Sequence, residues 1–294
     1  MKCAVVGYGA VGKAVEEILL QKDCEVKIFS RRGELCGSVA PAFPLDGLQE
    51  HEIDLAFLCV GSAEDSLTVA PKVLTFCDTI DCFDDHINMK KYLKALDDMA
   101  REKKKRAISG AGWDPGIFSV ARKLFSLAGK THTFYGEGVS LGHSNAVKNI
   151  FGVKNAICYT IPLQSEVENA RRGGEVRETA QTHKRRVVVV PCDNADRAQI
   201  AREILGNPYY RGYDTTIEFC GESDFFKHKD NRFHQGKVFC AEEGFSMTLT
   251  ASMKDNAYFT ARIMTGLREV IGKLEAGAYT LADIPPALFS DAFY

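Results

Sequence analysis

The sequence predicts an α/β protein: a doubly wound parallel sheet occupies the first part of the chain, and a second, α+β domain follows it. Three observations carry this. Short apolar runs at 3–6, 26–29, 54–60, 79–82 and 107–109 alternate with helix-like segments as far as residue 116, the pattern of strands buried on both faces and joined by crossover helices. A glycine-rich turn stands between the first run and the first helix. Beyond residue 116 strand-like stretches dominate, at 131–140, 186–190, 214–220 and 245–252, with helical periodicity at 146–156 and 198–205. The last strong helical pattern covers 256–274. At 294 residues the chain reaches the size at which a single core stops growing, so we divide it at 116 into two domains.

The first element is the strand Cys3-Ala4-Val5-Val6, and Gly7-Tyr8-Gly9-Ala10-Val11-Gly12 follows it directly as G-x-G-x-x-G. Val11, Ala14, Val15, Ile18 and Leu19 then recur at helical spacing up to Lys22-Asp23, before the second strand. Strand, glycine turn, helix and strand together are the Rossmann dinucleotide fingerprint. Gly7 permits the tight turn, Gly9 lets the backbone approach a pyrophosphate, and Gly12 brings the helix onto the sheet. The helix N-terminus faces the phosphates. At the end of the second strand, where an NAD site places a carboxylate for the ribose hydroxyls, the chain reads Ser30-Arg31-Arg32-Gly33. A hydroxyl and two guanidinium forks there suit a 2′-phosphate, so the expected cofactor is NADP(H).

Ligands of doubly wound sheets gather beyond the carboxyl ends of the strands. The loops at those ends are Gly61-Ser62-Ala63-Glu64-Asp65, Phe83-Asp84-Asp85-His86 and Ala111-Gly112-Trp113-Asp114-Pro115-Gly116. We place the chemistry on this rim. Asp84 and Asp114 are the candidate acid–base carboxylates, since neighbouring carboxylates can have their pKa values pushed apart. Asp114 also fits a turn carboxylate before Pro115. Asp84 or Asp85 could cap the following helix. Trp113 is the sole tryptophan, and its place in a polar rim segment favours a ligand platform. His143, His183 and His234 read as hydrogen-bonded structural groups. The run 101–106 reads as the basic last turn of a helix.

Composition narrows the partners. A net charge of −2 selects no polyanion, so nucleic acid is not expected. The first residues run directly into Ala4-Val5-Val6 without a basic region or cleavage site, so we expect no signal peptide and a cytoplasmic location. No stretch approaches the roughly 18 apolar residues of a membrane span. The ten cysteines include no C-x-x-C pair, which points to reduced, structural thiols and no metal.

Several segments in this order resemble the meso-diaminopimelate dehydrogenases: Gly7-Tyr8-Gly9, Phe29-Ser30-Arg31-Arg32, Gly61-Ser62-Ala63, Gly112-Trp113-Asp114-Pro115-Gly116, Gly142-His143-Ser144, Tyr159-Thr160 with Pro162, and Gln181-Thr182-His183-Lys184-Arg185. The resemblance spans nearly the whole chain. It implies NADP-dependent, reversible oxidative deamination at the D-centre of meso-2,6-diaminopimelate, in lysine and cell-wall precursor biosynthesis, by a homodimer. Hydride leaves the carbon bearing the D-amino group, and water converts the resulting imine to a ketone and ammonia. It also implies that residues 256–294 complete the nucleotide domain, while 117–255 bind substrate and dimerise. Gly61, Ser62, Ala63 and Glu64 would lie beside the cofactor. Asp84 and Asp114 would face the D-centre ammonium with Trp113 nearby, Thr160, Arg185, His234 and Asn256 would hold the L-centre, and Tyr135 and Gly142 would line the substrate. The chain departs from the family pattern at Tyr135, Asn145, Glu64 and Arg232-Phe233-His234-Gln235-Gly236, which bears on pocket shape and substrate breadth. Dehydrogenation of another D-amino acid, or NADP(H) sensing without catalysis, are the alternative readings.

Overall fold

A computed structural model describes residues 1–31, 37–61, 65–228, 231 and 233–289. The chain divides into two compact units, Met1–Val120 with Ala257–Tyr294, and Ala121–Asn256. The sequence reading placed these breaks at 116 and 255.

In the first unit, strands β1 (Lys2–Val6), β2 (Glu25–Ser30), β3 (Ala42–Pro44), β4 (Leu55–Leu58), β5 (Asp78–Asp81) and β6 (Arg106–Ser109) join the C-terminal strand Gly277–Thr280 in one sheet. Its order among the described residues is Gly277–Thr280, β6, β5, β4, β1, β2, β3. Every pairing is parallel. From β1 the chain winds outward to β2 and β3, then returns to build β4, β5 and β6 on the other side. The strand order therefore reverses between β1 and β4, the place where such sheets open a ligand crevice.

Alternation along β1 builds two cores at once. Cys3 and Val5 join Val15, Ile18, Leu19, Ile28, Phe57, Met264 and Ile271, while Ala4 and Val6 join Leu58, Leu74, Phe83, Leu96 and Ala107. Side chains of a strand point alternately to opposite faces, so the sheet is covered on both. Helices Ala10–Leu20 and Asn256–Gly266 supply one cover, and Asp65–Leu74 and Met89–Lys103 the other.

The expected helix over 256–274 is two pieces, Asn256–Gly266 and Arg268–Ile271. The basic run 101–106 is also divided. Arg101 and Lys103 close a helix, the chain turns left-handed at Lys104, and Arg106 opens β6, paired with Asp78 at 3.1 Å.

The second unit holds β7 (Thr131–Tyr135), β8 (Gly138–Val139), β9 (Val153–Pro162), β10 (His183–Pro191), β11 (Asp214–Phe219), β12 (His234–Glu242) and β13 (Phe245–Met253). They form two sheets, ordered β11-β10-β9-β8 and β13-β12-β7. Only β10 with β11 is parallel among their pairs. The stretch read as one strand over 131–140 breaks at Gly136, whose φ of +96° and close approach to the Thr160 carbonyl no side chain would allow. The helix expected over 146–156 is instead Leu141–Lys148 followed by β9. Pairing of β9 with β10 decides its conformation against the local periodicity. No described helix is long and apolar enough to cross a membrane.

Candidate functional site

Beyond β1 the chain turns at Gly7, whose φ is +90° and whose N–H donates to the Phe29 carbonyl at 2.9 Å. A Cβ there would lie 2.7 Å from the Cys59 carbonyl oxygen, and one at Gly12 would lie 2.2 Å from that of Gly7. Both positions are closed to any side chain. Gly9 differs: a Cβ there meets nothing within 4 Å. Gly9 is also the N-cap of helix Ala10–Leu20, which has no side-chain cap and no acid in its first turn. An uncapped, positive helix end beside open space fits a pyrophosphate. Val11 packs on the core. The Tyr8 hydroxyl hydrogen-bonds to Glu16 and, at 3.2 Å, to the Gly37 carbonyl. Burial and the Glu16 carboxylate push its pKa up to about 12.

At the end of β2, the Ser30 Oγ is buried without a hydrogen-bond partner among the described residues. Next to it Arg31, 81% exposed, pairs with Asp65 at 3.2 Å. An orphaned hydroxyl and an exposed guanidinium suit the phosphate expected there. Gly61 accepts from the Ser66 N–H at 3.0 Å. Arg32, Ser62, Ala63 and Glu64 lie outside the described residues.

On the rim, Asp85 holds the turn. Its carboxylate accepts from the N–H groups of Ile87 and Asn88 at 3.0 and 3.2 Å and from the Asn88 amide at 2.6 Å, bonds that lower its pKa. Asp84 is left exposed. In the next loop Gly112 and Gly116 bridge, and the Ile117 N–H donates to the Gly112 carbonyl at 3.1 Å. The loop so closed carries Trp113, 8% exposed and edge-on to Phe118, and the half-buried Asp114. Sequence reasoning missed Asp81. This buried carboxylate at the end of β5 bonds to both rim loops; its signal was only a carboxylate closing an apolar strand.

In the second unit Thr160 and Arg185 are paired across β9 and β10, and Arg185 donates to the Thr160 hydroxyl. Arg185 is 6% exposed and stacks on the Tyr213 ring at 4.3 Å. Its Nε has no partner among the described residues. Three imidazoles surround it, each driven toward the neutral form by burial first and by Arg185 second or later: His143 falls to about 3, and His183 and His234 to about 4. The Tyr135 N–H donates to His183 Nε2 at 2.9 Å, so that nitrogen carries no proton. His234 Nδ1 likewise accepts from the Gln235 N–H at 2.9 Å. The cluster therefore keeps one positive charge, and it lies on Arg185.

Asn256 Oδ1 is buried without a partner among the described residues. Gly142 is exposed at the start of helix Leu141–Lys148. Tyr213 was not anticipated, because only the fold brings it over Arg185. Among the described residues no group of three or more His, Cys, Asp or Glu could hold a metal ion.

Residues 112–254 match the family model described as diaminopimelic acid dehydrogenase C-terminal domain. The chain is 35% identical to a meso-diaminopimelate D-dehydrogenase of Ureibacillus thermosphaericus, covering 99% of this chain and 95% of that relative. Its structure is similar to that of the C. glutamicum DAP dehydrogenase in complex with DAP, with a TM-score of 0.92, 33% identity, and coverage of 99% and 96%. It is also similar to an engineered D-amino acid dehydrogenase bound to NADP+, with a TM-score of 0.90, 32% identity, and coverage of 99% and 96%. On the 35% identity to the Ureibacillus thermosphaericus enzyme, sustained over nearly the full length of both proteins, the chain belongs to the meso-diaminopimelate D-dehydrogenase family.

Proposed function

We propose that this chain catalyses the NADP-dependent, reversible oxidative deamination of meso-2,6-diaminopimelate at its D-centre, giving L-2-amino-6-oxopimelate and ammonia. One observation carries the substrate class: Arg185 is buried, stacked and hydrogen-bonded, yet keeps an unpartnered Nε. An unsatisfied buried cation is costly, and a ligand carboxylate offsets that cost. Full-length similarity to relatives with this activity in their names supports the same reading.

Bound NADP+ supplies the hydride acceptor. Gly9 and the N-terminus of helix Ala10–Leu20 would hold its pyrophosphate, and Ser30 with Arg31 its 2′-phosphate. Thr160, Arg185, His234 and Asn256 hold the L-centre, which sets which end of the substrate reacts. Asp84 and Asp114 bind the D-centre ammonium, take up the proton that frees the amine, and serve as base for the attacking water. Tyr135, Trp113 and Gly142 are the remaining substrate-binding residues of this reading. A homodimer assembled through the second unit and a cytoplasmic location belong to the same reading; sedimentation equilibrium and cell fractionation test them.

The test of the reaction is its stoichiometry. One ammonia and one 2-amino-6-oxopimelate should form per NADPH. NADPH appearing without ammonia would mean that a different bond is oxidised.

A further inference from the structure

We propose that Asp81 is the positioning residue of the rim: one buried carboxylate that ties the loop bearing Asp84 to the loop bearing Asp114. The inference rests on the reading above that these two aspartates act on one substrate centre. Asp81 closes β5 and is 1% exposed. Its Oδ1 accepts from the Phe83 N–H at 3.0 Å and from the Gly110 N–H at 3.1 Å. Its Oδ2 accepts from the Ser109 hydroxyl at 2.8 Å and from the Tyr92 hydroxyl at 2.9 Å. Its own carbonyl accepts from the Ala111 N–H at 2.8 Å.

These partners come from both sides of the rim. Phe83 immediately precedes Asp84, and Tyr92 belongs to the helix Met89–Lys103 that follows that loop. Ser109, Gly110 and Ala111 lead into the segment carrying Trp113 and Asp114. The Phe83 and Tyr92 rings stack at 4.1 Å. At Gly110 a Cβ would lie 2.9 Å from Met89 Cε and 3.4 Å from the Phe83 carbonyl oxygen, so glycine lets the two loops touch.

A carboxylate suits this junction because it alone among short side chains offers two oxygens that each accept twice. The residue is costly to bury: desolvation raises its pKa against the pull of the four donors, none of which is a cation. Such a group joins the ends of β5 and β6 to the loops at the carboxyl edge of the sheet, where substrates of doubly wound sheets bind. A shift of about 1 Å between reacting groups lowers rates by about two orders of magnitude, so this junction governs turnover.

The loop it holds carries the only tryptophan in the chain, Trp113, whose emission reports the loop without reference to activity. Asp81→Asn keeps the shape but exchanges one acceptor oxygen for a donor; Tyr92→Phe removes one of the four donors to Asp81 and is the milder variant. Both should keep wild-type circular dichroism and wild-type NADP affinity. Both should shift Trp113 emission to the red, raise its quenching by acrylamide, and lower kcat, by about tenfold or more for Asp81→Asn. Folded variants with unchanged Trp113 emission and unchanged kcat overturn the proposal. If Asp81→Asn does not fold, Tyr92→Phe decides alone. A wild-type protein that forms no NADPH from meso-diaminopimelate overturns the proposed function, while the emission of Trp113 still decides whether Asp81 sets its loop.

Discussion

Thr160 and Arg185 stand directly opposite one another in the antiparallel pairing of β9 with β10, and the guanidinium donates to the hydroxyl. Backbone register thus fixes where a buried positive charge sits. Three neutral histidines surround it, Tyr213 lies against its face, and its Nε has no partner among the described residues; in the proposed reading a substrate carboxylate fills that place. Arg185→Met should therefore separate function from stability. The melting temperature should stay at or above wild type, because an incompletely partnered buried cation is removed. Meanwhile kcat/KM for diaminopimelate should fall by about a hundredfold, the scale of two charged hydrogen bonds. Loss of stability together with an unchanged KM would make Arg185 a structural residue.

Asp84 and Asp114 sit on separate loops that share Asp81 as a tether. Replacing either with Asn should lower kcat by about two to four orders of magnitude, the range for a positioned acid or base. Thermal stability should change little for Asp84→Asn, since Asp84 is exposed and exposed polar substitutions are usually mild. If both variants keep kcat and change only KM, the acid–base role belongs elsewhere.

The glycine turn makes a paired prediction. Gly9→Val should fold normally, as the site is open and its φ of −82° and ψ of −160° suit any residue, yet it should abolish NADP binding by filling the phosphate position. Gly12→Ala should lose the fold itself, because its methyl group would collide with the Gly7 carbonyl 2.2 Å away. Calorimetry and cofactor titration on both variants check this. On the same loop Arg31→Ala should lower the preference for NADP over NAD by about tenfold, the loss of one charged contact.

The histidine cluster sets a pH dependence of stability. In the unfolded chain these groups titrate near 6.5, and in the fold near 3 for His143 and near 4 for His183 and His234. Above pH 6.5 they are neutral in both states and contribute no slope. As pH falls from 6.5 toward 4 the unfolded chain takes up protons that the fold refuses, so stability falls, by up to about 1.4 kcal/mol per pH unit for each histidine. Denaturation midpoints at pH 7, 6 and 5 should descend in that order. His183→Gln should flatten the descent; a wild-type difference between pH 7 and 5 that the variant keeps in full would rule His183 out.

What the sequence disclosed follows from where the determining contacts lie. Gly7 and Gly12 were legible because their constraints come from the same short turn and from the end of the neighbouring strand, and Gly9 because the G-x-G-x-x-G spacing places it at the helix N-terminus. The parallel sheet was legible for the same reason, since each strand buried on both faces is an apolar run. Asp81 was not, because three of its partners are contributed by residues 109, 110 and 111, remote along the chain. The strand Val153–Pro162 was read in part as helix, since only its pairing with β10 selects the extended form. The strand His234–Glu242 was missed, with His234 and Gly236 diluting the apolar pattern that β7 and β13 complete on either side. That Asp85 accepts from the Ile87 and Asn88 N–H groups depends on backbone N–H directions that no spacing encodes.

In the proposed reading an NADP enzyme acts on one stereocentre of a symmetric-looking amino diacid. NADPH absorbance, followed with meso-, LL- and DD-diaminopimelate and repeated with NAD, tests it most directly. Absorbance should grow rapidly with the meso isomer and NADP, not at all with the LL isomer, which has no D-centre, and weakly with NAD. Growth with the LL isomer equal to that with meso, or none with meso, would contradict it.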